Sequence, residues 1–155
     1  MAVDDFQQQY EAALGQFLVA FNSIESLTTD LVILALAETR KGHLTKRLIE
    51  DNFERRVTAL ELLASALPQL DRLPVSELRR LGGERNKLAH GHLDQDPNGE
   101  FSIRDIQRRK NTDINLDRIL KLALDARTSW NDLRNIEICF WFDEVTEEHL
   151  AETSP

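Results

Sequence analysis

The sequence predicts an all-α fold: a four-helix up-down bundle with a short β-hairpin or loop insertion between helices three and four. Three observations predict it. Apolar residues recur at spacings of three and four over most of the 155 residues. Only six Gly and four Pro punctuate the chain, which leaves room for long regular elements. The one departure from the helical period, about 92–112, carries turn chemistry and a short alternating stretch. The chain reads as one domain, 1–155, with a core of about 4–142, this insertion, and a polar tail 143–155.

The first helix is expected from about Asp4 to Thr39. Phe6, Tyr10, Ala13, Phe17, Phe21, Ile24, Thr28, Leu31 and Ala35 form one apolar stripe, and Lys41-Gly42 ends it. Thr45 is expected to cap a second helix, where Leu48, Phe53, Val57, Leu60, Ala64 and Leu67 keep helical spacing until Pro68. A third begins near Pro74 and ends at His90-Gly91, with Gly91 in the favoured place past a helix end. Asp96-Pro97-Asn98-Gly99 then makes a turn, and Phe101 and Ile103 alternate with polar neighbours. The fourth helix starts near Asn115 and buries Leu116, Ile119, Ala123, Ala126, Trp130, Leu133, Ile136 and Phe140. Glu147 to Ala151 can add one further turn in the tail.

Composition narrows the function. Hydrophobic residues at 41% and charged residues at 30% match a folded soluble chain rather than a disordered one. A net charge of −8 excludes coating nucleic acid or anionic membrane through bulk charge. The longest uninterrupted apolar run, Leu31 to Ala37, is far short of the ~20 residues of a membrane span, so no membrane partner is expected. The N-terminus lacks the basic region of a secretory signal, and one cysteine, Cys139, suits a cytoplasmic location. Charge is unevenly spread: residues 1–38 hold six acids and no Lys or Arg, and 143–155 hold five acids and no Lys or Arg. Between them lie two basic clusters, Arg79, Arg80, Arg85 and Lys87, then Arg104, Arg108, Arg109 and Lys110. They read either as an anion-facing surface or as a solvated helix and loop.

Glu84-Arg85-Asn86-Lys87-Leu88-Ala89-His90-Gly91 carries the chemistry. At 100° per residue, Arg85 shares the core-facing stripe of Leu78, Leu81, Leu88 and Ala89. A charge placed there needs an acceptor, and Glu25, on the flank of the first helix's stripe, is the expected structural partner. Asn86 and His90 are one turn apart on another face, with Arg79 and Gly83 in the same row, so Asn86 can orient the His90 ring. Gly82-Gly83 costs a helix about 2 kcal/mol relative to alanine. That is tolerable where another helix approaches the backbone closely; the alternative is a helix broken there.

Arg85, the polar Asn86 and His90, closing the third helix of a four-helix bundle, resemble the motif of the HEPN superfamily. In that family an Arg, usually followed by a polar residue, precedes a His by a short spacing. Glu84 and Gly91 also look like many members, and the fold-level likeness covers about 4–142. The resemblance implies a metal-independent endoribonuclease acting as a homodimer, a toxin or phage-defence effector held by an antitoxin or other protein partner. Catalytic roles then fall to Arg85, His90 and Asn86, with no cofactor. Many relatives of the family use the bundle only for dimerisation, so a non-catalytic dimeric interaction module is the second reading.

The residue types suit the chemistry. Arg85 and His90 diverge by about 140° on one helix, which a second chain can remedy by completing the site. Cleavage of RNA by its own 2′-hydroxyl needs a base, an acid and a cation at phosphorus. Histidine serves as base or acid, and arginine grips phosphate oxygens in a bidentate way. His90 at a helix C-terminus suits an acid or phosphate-binding role. Products carry 2′,3′-cyclic phosphate, and DNA, lacking the nucleophile, is not cut. Lys87, His92, Arg79, Arg104, Arg108 and Arg109 are the candidate RNA-binding residues. No carboxylate or Cys stands at ligand spacing from His90-Gly91-His92, so no metal is expected. His43 and His149 read as solvated. Trp130 and Trp141 read as core packing in preference to a base-stacking platform.

Overall fold

Five α-helices dominate the computed structural model, which describes residues 3–95, 101–105, 110–113 and 115–152, with side chains for 5–91, Ser102 and 115–142. Helix α1 (Val3–Glu38) follows the expected stripe, with Tyr10, Ala13, Phe17, Phe21, Ile24, Thr28, Leu31 and Ala35 all buried. The helix ends as a Schellman motif. Arg40 adopts a left-handed φ of 56°, its amide donates to the Ala37 carbonyl, and the Lys41 amide donates to that of Leu36. Taken as a whole, Asp5–Glu38 is long and apolar enough to cross a membrane, a property shared by buried core helices.

The expected second helix is two. Helix α2 (Thr45–Ile49) is short, and α3 (Phe53–Ala64) begins after a break. Thr45 caps nothing with its side chain. The cap is Asn52, whose Oδ1 accepts from the Arg55 amide at 3.0 Å. Helix α4 (Val75–His90) passes unbroken through Gly82-Gly83, which corrects the broken-helix alternative. A Cβ built on Gly83 meets nothing within 4 Å, so close approach does not explain this glycine; Gly82 is buried.

Between α4 and α5 the chain forms β1 (His92–Gln95), β2 (Phe101–Asp105) and β3 (Lys110–Asp113), an antiparallel sheet in that order. The expected Asp96-Pro97-Asn98-Gly99 turn lies outside the described residues. Register pairs His92 with Arg104 and Leu93 with Ile103, then Ile103 with Thr112.

Helix α5 (Leu116–Glu152) is capped by Asn115, whose Oδ1 accepts from the Arg118 amide at 3.1 Å. It runs through the region expected to be a polar tail. Ile119, Ala123, Ala126, Leu133, Ile136 and Phe140 are buried as expected, but Trp130 is 38% exposed and Trp141 59%. Ser129, at 2%, occupies the slot assigned to Trp130. An indole is too large to fit fully at the edge of a stripe that a hydroxymethyl group fills.

Contacts group the chain into two units, residues 1–22 with 80–127 and residues 23–79 with 128–155. In the first, Tyr10, Phe17, Phe21, Leu81, Leu88, Ile119, Leu122 and Ala126 are buried. The Phe17 and Phe21 rings sit 6.1 Å apart in a tilted pair. In the second, Ile24, Leu31, Leu36, Val57, Leu60, Leu70, Leu78 and Leu133 are buried.

Candidate functional site

The last two turns of α4 carry Glu84, Arg85, Asn86, Lys87 and His90 within the first unit. Leu81 and Leu88 are buried on either side of Arg85 in the sequence, and their burial fixes the helix's rotation. Arg85 is half-buried, whereas Asn86, Lys87 and His90 are exposed. This matches the angular separation that the 3.6-residue period imposes on Arg85 and His90.

Arg85 Nη1 donates to Asn86 Oδ1 at 3.2 Å. Among the described residues no ion pair engages Arg85. The expected partner, Glu25, belongs to the second unit and accepts from Arg56 Nη2 at 3.5 Å. Arg56 also donates from Nη1 to the carbonyls of Asp51 at 2.6 Å and Ile49 at 3.3 Å. The buried cation is therefore Arg56, not Arg85. Asn86, for its part, holds Arg85 instead of orienting His90.

Glu84 anchors this end of α4. Its carboxylate, with the side chain only 13% exposed, accepts from Lys87 Nζ at 2.9 Å and from Arg118 Nη2 at 2.7 Å. Arg118 stands in the first turn of α5, so the pair ties the motif helix to the start of α5. Arg80 bridges the same two helices through Asp125 at 2.6 Å. Sequence reasoning missed Glu84 and Arg118 as a couple because nothing in their spacing announces a contact 34 positions apart.

Arg79 has a different job from the one expected. It donates to Glu54 and Glu61, each at 2.7 Å, and to the Thr58 hydroxyl at 3.1 Å, clamping α4 to α3 within the second unit. These carboxylates hold its guanidinium above its ordinary pKa, the Glu61 hydrogen bond most. His92 opens β1 two residues past His90, and register sets it opposite Arg104 on β2. Arg108 and Arg109 lie outside the described residues. Among the described residues, no group of three or more His, Cys, Asp or Glu is placed to hold a metal ion. No protein-family model, curated protein or solved structure matches the chain.

Chemically, the α4 terminus offers an arginine whose charge no carboxylate cancels among the described residues, an amide that steadies it, and an exposed imidazole one turn on. That set can bind a phosphate and exchange a proton beside it.

Proposed function

We propose that this chain is a metal-independent endoribonuclease of HEPN type, acting as a homodimer on a four-helix up-down bundle whose insertion follows the third helix. The observation that carries the reading is the state of Arg85: half-buried, held by Asn86, and in no ion pair among the described residues. A purely structural arginine in that stripe would be expected to end on a carboxylate, as Arg56 does on Glu25.

In the proposed reaction Arg85 grips a non-bridging oxygen of the scissile phosphate through its fork. Asn86 fixes the guanidinium plane by accepting from Nη1. His90, supplied from the same helix or from its copy across a two-fold axis, exchanges the proton of the 2′-hydroxyl or of the leaving 5′-oxygen. The 2′-oxygen attacks phosphorus, the bond to the 5′-oxygen breaks, and a 2′,3′-cyclic phosphate and a 5′-hydroxyl result. Lys87, His92 and Arg104 extend the cationic side of the strand's path. The biological setting in this reading is a cytoplasmic toxin or phage-defence effector restrained by a protein partner.

The test is cleavage of total cellular RNA in the presence of EDTA, with product ends analysed. Wild type is expected to cut and to leave cyclic phosphate. Arg85→Ala and His90→Ala are each expected to lose at least about 100-fold in rate while keeping their melting temperatures. Undiminished cleavage by His90→Ala, or none by wild type, overturns the proposal in favour of an interaction module.

A further inference from the structure

Trp130 and Trp141 are the chain's two tryptophans, and neither is in the core. They are eleven residues apart on α5, which places them within about 20° of one another around the helix and about 16 Å apart along it. Ile138, 39% exposed, lies between them near the same face, beside Arg134, whose side chain is 53% exposed and pairs with Glu137. Arg127, exposed, stands one turn before Trp130 on the same helix. Indoles exposed at helical spacing are costly to leave in water and are the commonest anchors of protein interfaces.

We infer that this face of α5 docks a second copy of the chain, with the two α5 helices antiparallel. Charge along the helix selects both occupant and direction. Arginines stand at 127 and 134, whereas 143–152 holds Asp143, Glu144, Glu147, Glu148 and Glu152 with no Lys or Arg. Parallel pairing sets this acidic reach against itself. Antiparallel pairing sets it against arginine. With Trp130 level with Trp141 of the other copy, Arg127 falls level with position 144, a glutamate. The same register holds in both directions, as a two-fold axis requires. A polyanionic strand stacked on the indoles would instead have the acidic reach beside it, which disfavours nucleic acid as the occupant.

The surface is independent of the ribonuclease reading, because it uses none of the residues at the end of α4. Its test uses the full chain. Both tryptophans report from the face itself, so sedimentation and intrinsic fluorescence are followed together over a concentration series. A doubling of mass with a parallel blue shift of emission is expected. Trp141→Ser, a change at an exposed position, is expected to weaken association roughly tenfold or more. Arg127→Glu is expected to weaken it too, and Glu144→Arg in the same chain to restore it. A dimer that forms with unshifted emission and survives Trp141→Ser overturns the inference and leaves the ribonuclease proposal untouched. A monomer at every concentration, or one whose emission responds only to added polyuridine, also overturns the inference, and it counts against the composite ribonuclease site as well.

Discussion

Arg56 is nine-tenths buried, and its charge is held by the carbonyls of Ile49 and Asp51 and by Glu25. Those carbonyls lie at the end of α2 and in the break before α3, so one side chain secures both the break and the contact with α1. Arg56→Ala leaves two carbonyls and a half-buried carboxylate without their donor and is expected to cost about 3 kcal/mol in chemical denaturation. A loss below about 1 kcal/mol would show that water replaces these contacts. Asp30 presents the opposite case. Partial desolvation on the helix surface raises its carboxyl pKa, and the nearby Glu137 charge raises it further. The folded chain therefore binds more protons than the unfolded one between the ordinary value of 3.8 and the raised folded value. This contribution to stability is complete below 3.8 and is lost as pH rises through the folded pKa. Asp30→Asn is expected to remove that loss, so the variant should gain on wild type as pH is raised. Parallel denaturation profiles for the two proteins across that range would refute it.

At the scale of elements, α4 carries two adjacent glycines within 16 helical residues. Gly83 is exposed and has open space where a side chain would go. Gly83→Ala is expected to raise stability by about 1 kcal/mol, read as a shift in denaturation midpoint. A destabilisation would mean that something approaches this backbone after all. The stripe of α1, and that of α5 from Ile119 to Phe140 apart from Trp130, were legible because period alone decides which face is buried. Less legible were the details that depend on what lies opposite. The break before α3 turns on Asn52, an equally good cap seven residues after the Thr45 that the apolar pattern suggests. Arg56 sits in the stripe of Phe53, Val57 and Leu60 as surely as Arg85 sits among Leu81 and Leu88, yet only Arg56 meets Glu25. Period places both arginines toward the interior, and tertiary contact chooses between them. Ser129 taking the slot of Trp130 is the same lesson in volume. The chemistry at the end of α4 was legible as a row of residue types; the bond from Arg85 to Asn86 and the anchor from Glu84 to Arg118 were not.

For the molecule as a whole, a net charge of −8 sets the terms on which the proposed ribonuclease meets RNA. The mean field of the chain repels a polyanion, so attraction must come from a few local cations within a screening length of the motif. Arg79 and Arg80 are already occupied by Glu54, Glu61 and Asp125, and Lys87 and Arg118 by Glu84. In a dimer, Arg85 and Arg104 from two copies leave about four cations at the phosphates. With a slope of about −0.7 per contact on a single strand, the logarithm of the binding constant should fall against the logarithm of salt no more steeply than about −3. Long-range repulsion weakens at the same time, which flattens the slope further at low ionic strength. Binding of a short single-stranded RNA to His90→Ala, measured by anisotropy over a salt series, checks this without interference from cleavage. A slope near −6 would place many more basic side chains on the strand and point to the rest of the 104–110 cluster as its main support. A slope of zero would leave Arg85 without a phosphate to hold.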